Sequence, residues 1–475
     1  MKKNFFRKVG FGIGPDEVVP ENPISWAQNQ VDKVPPLIWD TQIRSGEEML
    51  NHYAEWVYTD REILRKKYKE NRQAYKEAKN KLRYKVGQQY FENLEICIRQ
   101  NTALKSKSPV FERLWFFWCN HFAIIDKDAM PQFTTGPYHR ETIRTNMCGS
   151  FETLLKEATL GWSMIHNLDN SESIGPHSEW GKNRRKRGKL ATVNENHARE
   201  LLELHTVSPS AGYSQEDVIQ LSYVMAGWEH EHTKKRKECN PVRFNYKKHE
   251  PGNHKVLGKK YKQRGLSPKN KLLDVLKDLS NHPETRRFIA FKLCRHFLTD
   301  NPTEEMITPI ISAWEQSDGN LPTIHKALLQ VVYDHADNQA KFQNPEIWML
   351  QMVHMVGGSW PLQADEMKYN FKIKPNNHQR RPRFFMKEIG YEPYRPIQPN
   401  GFSDLESDWI SPELLIRRMS APKEIAQRRF TLKNFEEMIE KNFDDPEEIK
   451  ALIEGVRSPS TKMQLIFPSY RMLKT

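Results

Sequence analysis

Nothing in this chain spaces cysteines as C-x-x-C. Cys97, Cys119, Cys148, Cys239 and Cys294 are far apart and odd in number, which fits neither a zinc ribbon nor a disulfide framework and favours a reducing compartment. No apolar run approaches membrane-spanning length. The opening "MKKNFFRKVGFGIGPDE" has basic residues without the apolar run of a secretory signal, so with Met1 as the native start the expected location is cytoplasmic. Several chemistries are missing as well. There is no G-x-S-x-G, no phosphate-binding G-x-x-x-x-G-K-[ST] and no C-x-x-C-H. "GFGIGP" lacks both the last glycine of a dinucleotide loop and the strand that should precede it.

What is present is material for a large core under a polar surface. The 475 residues include 12 Trp, 23 Phe and 16 Tyr, with a mean hydropathy of -0.78. The net charge of +13 admits an acidic partner: nucleic acid, anionic lipid or anionic glycan.

Periodicity points to an all-α fold, mainly helical, with long loops and one small β-hairpin near 240–262. Residues 46–100 read as helix without proline, and 58–85 as a highly charged, exposed arm suited to helix–helix pairing, with nucleic-acid contact the weaker alternative. In "VFERLWFFWCNHFAI", Phe111, Trp115, Trp118 and Phe122 share one helical face, and Leu114, Phe117 and His121 share another. A helix apolar nearly all round belongs in the centre of the molecule. "HNLDNSES" reads as a polar turn in which Asp169 and Asn170 stabilise the loop. "GPHSEWGKNRRKRGK" reads as a basic loop, and Lys182, Arg184, Arg185, Lys186 and Arg187 form a candidate polyanion patch. Lys234 to Lys237 form a second basic cluster. Ser214 should cap a helix with Asp217 in its first turn, and Ser411 should cap another with Pro412 at its first position. The stretch 357–411 should be mostly loop. One domain over 1–475 is expected, with sub-regions 1–175, 176–356 and 357–475.

"NENHARELLELHTVSPSAGYSQEDVIQLSYVMAGW", residues 194–228, resembles the central signature of a bacterial family, domain of unknown function 1800. Its pattern is close to N-E-N-x-A-R-E-x-x-E-L-H-T, then G-Y-[TS]-Q-x-D-V, then T-G-W. "FFRKVGFGIGP", "FWCNHFAI", "ETIRTNMCGSFETLL", "LDNSES", "HEPGNHKVLG", "KLCRHFLTDNP" and "PNGFSDLESDWISPELLIRRM" are similar to further family segments, in family order over nearly the whole chain. The resemblance implies a mainly helical fold and brings no established activity. Many relatives carry export signals. The chain departs from the pattern at Asn167, where Tyr is usual, at Glu250 for Asp, and at Ala226 for Thr.

On a helical wheel at about 100° per residue, Asn196, Glu200 and Glu203 fall within a sector of roughly 60°, with Arg199 beside them. Glu195 and Arg199 have the favourable i, i+4 orientation for an ion pair. His205 falls roughly 140–160° away, among apolar residues, so the helix is neither an E-x-x-H nor an H-E-x-x-H metal motif. Two readings follow. In the first, Glu200 and Glu203 act as acid and base or as ligands of a divalent metal in a hydrolase-like enzyme, oriented by Arg199 and Asn196. His205, His121 and His249 are the secondary candidates, and a histidine from another segment, His121, His249 or His296, could complete a metal set. In its structural counterpart the same row is a polar packing seam satisfied by Arg199, Arg144 and Arg295, and His205 and His121 are satisfied core histidines. The second functional reading is a non-enzymatic binding or scaffolding protein that holds an anionic polymer or protein partner through its basic loops.

Overall fold

In the computed structural model, the protein is described over residues 2–86, 88–230, 242–263, 268–358, 382–426 and 430–475. Helices dominate, as the periodicity predicts. Strands among the described residues make up two short antiparallel pairs: β1 (Trp228–His230) with β2 (Val242–Phe244), and β3 (His254–Val256) with β4 (Lys259–Tyr261). The second pair is the expected hairpin, turning through Leu257 and Gly258, both at positive φ. The first pair brackets residues 231–241, so Cys239 and the Lys234 to Lys237 cluster lie outside the described residues.

The aromatic helix Pro109–His121 is central. Proline fills its first position, and every residue from Val110 to Cys119 is buried. Trp115 and Trp118 belong to one hydrophobic cluster with Leu201, Leu202, Leu276 and Leu328. Phe116 belongs to a second, with Trp348, Met352, Ile439 and Phe467. Indole N–H groups buried this way need acceptors. Trp115 donates to the His139 carbonyl at 2.8 Å, Trp118 to His325 Nε2 at 3.0 Å, and Trp348 to the Phe467 carbonyl at 2.8 Å. Three ion pairs are buried among these helices: Arg99 with Glu346 at 2.7 Å, Arg140 with Glu95 at 2.8 Å, and Arg144 with Glu112.

Four expectations change. The run 46–100 is broken into Gly46–Glu55, Arg61–Lys67, Arg72–Val86 and part of Gln88–Lys105, with a π turn at Trp56–Asp60 and a non-helical corner before Asn71, whose side chain accepts from Ala74 N. The basic "loop" is a helix, Glu179–Lys186: Ser178 caps it, Glu179 sits in its first turn, and Arg184, Arg185 and Lys186 sit in its last turn, matching the helix dipole. The NEN helix is α-helical only over Asn196–Glu200 and then widens into a π turn, Leu201–His205. A helix Pro382–Glu388 interrupts the loop-rich stretch, of which residues 359–381 lie outside the described residues. Other local expectations are met: Ser214 and Asp217 form a capping box, and Ser411 Oγ accepts from Leu414 N. Cys119, Cys148 and Cys294 are free thiols. No helix among the described residues is long and apolar enough to cross a membrane.

Candidate functional site

The motif segments far apart in sequence are tied to one another by short polar contacts. Asp169 takes a left-handed conformation (φ 56°) and is ion-paired with Lys127, which turns the chain into the 3-10 turn Asn170–Glu172. Asn170 Nδ2 then donates to the Met225 carbonyl at 3.2 Å and the Trp228 carbonyl at 2.7 Å, fixing the turn against the end of helix Gln215–Met225 and the start of β1. Asn194 N donates to Ser173 Oγ at 3.0 Å, and Ile174 N to the Thr192 carbonyl at 3.0 Å, so the NEN entry runs beside this turn. Gly175 N and Trp180 N donate to the carbonyls of Lys248 and Lys247 at 2.8 and 2.9 Å.

Two glycines permit this approach. A Cβ on Gly181 would lie 2.2 Å from the Gly175 carbonyl oxygen, and one on Gly175 would lie 2.6 Å from Glu250 Oε2. Glu250 is buried and accepts from His177 N at 2.8 Å and His177 Nδ1 at 2.6 Å, so it anchors the chain just before the basic helix.

Together these loops wall an open cleft of about 700 Å³. Trp180, 41% exposed, stands on one side with Arg184. Lys248 Nζ lies 5.3 Å from the Trp180 ring centroid, and is held by the Ser171 carbonyl at 2.9 Å and Glu229 at 2.6 Å. Glu172, Asn194 and Glu195 add carboxylate and amide oxygens to the lining. Glu195 already accepts from Arg199 at 3.0 Å and Gln215 at 2.6 Å. Of the expected polyanion residues only Arg184 lines the cleft; Lys182, Arg185 and Lys186 are exposed on the same helix and Arg187 just past its end, with Arg185 donating to the Pro176 carbonyl at 2.9 Å.

The family model described as "Protein of unknown function (DUF1800)" matches residues 4–466. The chain belongs to this family. No curated protein and no solved structure matched it. All three departures of this DUF1800 member from the family pattern fall on supporting contacts. Asn167 Oδ1 accepts from Ile125 N at 3.1 Å, Ala226 contributes its carbonyl to His249 Nδ1 at 2.8 Å, and Glu250 anchors His177.

The residues expected to carry chemistry are dispersed. Glu200 and Glu203 are half-buried and outside the cleft lining. Glu203 accepts from the Tyr213 hydroxyl at 3.0 Å, while burial and the charge of Glu203 push the Glu200 carboxyl up. Asn196 N donates to Asn194 Oδ1 at 2.9 Å, which makes Asn196 part of the helix start. Of the arginines expected to satisfy the glutamate row, Arg199 pairs with Glu195, Arg144 with Glu112, and Arg295 donates to the Asp300 carbonyl.

His205 is in the core, as the wheel places it, but it is not satisfied: neither ring nitrogen has a partner, and the same holds for His197. His121 is satisfied. Its Nδ1 accepts from Lys292 Nζ at 3.0 Å, which leaves Nε2–H to donate to the His205 carbonyl at 3.3 Å. His249 packs under the Gly227–Trp228 turn against Phe244, and burial pushes it down to about 4. The proposed metal set His121, Glu200, Glu203 and His249 is therefore not gathered. Among the described residues no group of three or more His, Cys, Asp or Glu could hold a metal ion. Trp180, Glu172 and Lys248 were missed by sequence reasoning; an exposed Trp beside a basic run was the available signal.

Proposed function

We propose that this protein is a binding protein whose cleft takes an anionic glycan. The observation that carries the reading is a half-exposed Trp180 flanked by Arg184 and Lys248 in a cleft that also contains Glu172, Asn194 and Glu195. An indole face suits the C–H surface of a sugar ring, and the two cations suit a uronate or sulfate group. Carboxylate and amide oxygens accept from hydroxyls but repel a polymer with a phosphate on every unit, which favours a glycan over nucleic acid in this cleft. Titration calorimetry of the full chain with uronate-containing, sulfated and neutral oligosaccharides tests this. An anionic oligosaccharide should bind, neutral ones more weakly, and Trp180→Ala should lower affinity by about tenfold or more. Equal binding of neutral sugars, or an unaffected Trp180→Ala variant, would sink the idea.

A second reading rests on Glu200 and Glu203 as an acid/base pair. It is favoured by their divided surroundings: Glu200 raised by burial and by its neighbour, Glu203 hydrogen-bonded by Tyr213. In Glu203→Gln the carboxyl of Glu200 should titrate lower, closer to an ordinary glutamate, by carboxyl-carbon NMR. An unchanged titration removes the coupling on which the pair depends.

A further inference from the structure

A second charged feature lies at the helical corner between Arg61–Lys67 and Arg72–Val86. Helix Arg61–Lys67 has no buried residue, so its side chains do not serve a core. At this corner is a cleft of about 1090 Å³ whose lining is mostly cationic: Arg61, Arg65, Lys66, Lys69 and Arg72, against the single carboxylate of Glu62. Lys66 reaches Glu62 only at 3.7 Å, with the lysine 79% exposed, an ion pair of negligible strength. Arg65, Lys69 and Arg72 are exposed and have no ion-pair partner among the described residues. Five cations around one carboxylate repel one another, a cost that an ordinary solvated helix face avoids by interspersing both signs.

The remaining lining residues are Tyr68 and Tyr75, both half-buried. Aromatic rings between arginines and lysines are the arrangement that receives a single strand, whose bases stack while its phosphates are neutralised. Arginine adds bidentate contact to phosphate. This lining differs from that of the Trp180 cleft, where cations and carboxylates are mixed, and the inference does not depend on that reading.

We propose that the corner at residues 61–75 is a binding surface for single-stranded nucleic acid, with Arg65, Lys69 and Arg72 contacting phosphates and Tyr75 stacking on a base.

Fluorescence anisotropy of a labelled 20-nucleotide oligothymidylate with the full chain, over a range of salt, tests it. Binding should weaken with salt. In the triple variant Arg65→Ala/Lys69→Ala/Arg72→Ala the log–log slope should fall by about 2, since each neutralised phosphate contributes about 0.7. Tyr75→Ala should weaken binding about tenfold. These positions are exposed or half-buried, and unchanged circular dichroism melting confirms that each variant is folded. No binding at low salt, an unaltered slope in the triple variant, or full affinity in Tyr75→Ala would each overturn the proposal. So would competition by a base-free sulfated polymer as effective as unlabelled oligonucleotide at equal charge.

Discussion

Glu112→Ala should be among the most destabilising single changes in this chain, lowering unfolding free energy by about 3–5 kcal/mol. Glu112 has 0% side-chain exposure and Arg144 has 2%. The carboxylate accepts from both terminal nitrogens of the guanidinium, which also donates to the Pro35 carbonyl at 2.9 Å and lies 4.6 Å from the Trp115 ring centroid. Removing the carboxylate leaves a buried cation with the Pro35 carbonyl and the faces of Trp115 and Phe111. Desolvation of the orphaned charge decides the outcome, since the pair itself contributes little beyond an apolar substitute. The double change Glu112→Leu/Arg144→Met should therefore recover much of the loss. Urea unfolding at pH 7 checks both; a loss below about 1 kcal/mol in Glu112→Ala would contradict the buried-pair account.

The second large effect is acid lability. His197, His205 and His325 are fully buried, and burial pushes each down to about 3. Neighbouring charges act on His205 as well, since His197 and Lys292 lower it further. An unfolded chain would protonate these groups near 6.5. The unfolded state therefore binds more protons below that pH, so the stabilisation is complete above about 6.5 and is lost as pH falls towards 3. Each histidine contributes a slope of about 1.4 kcal/mol per pH unit in that window. Asp404 extends the loss: burial raises it, but His296, Lys341 and Lys292 together hold it at about 2. Urea midpoints should fall steadily from pH 6.5 to 4, and His205→Gln should flatten the dependence by about one histidine's share. Parallel slopes for the two proteins would show that His205 is not held neutral.

Much of the architecture was legible because strong local signals agreed with tertiary demand. The aromatic helix has one reading, the Ser214 cap is followed by Asp217 in the first turn, and the Ser411 cap by Pro412. The basic stretch was read as a loop from its glycines and charges, whereas Gly181 lies inside a helix and its missing Cβ lets that helix pack closely against the Gly175 carbonyl. The wheel over "NENHARELLELH" assumed 3.6 residues per turn throughout. The π turn Leu201–His205 inserts a wider one, a feature without a composition signal. His205 remained on the core side, as expected. The cleft was hidden for a different reason: Glu172, Trp180, Glu195 and Lys248 belong to separate segments, brought together by long-range contacts such as Gly175 N to the Lys248 carbonyl and Asn194 N to Ser173 Oγ.

Hydroxyl-radical footprinting of the full chain, with and without a saturating anionic oligosaccharide, tests the cleft most directly, because half-exposed Trp180 is readily oxidised when free. The account predicts strong protection of Trp180 on binding, with little change at Tyr246, which is 56% exposed and absent from the cleft lining. Binding that leaves Trp180 oxidation unchanged would place the glycan elsewhere and contradict it.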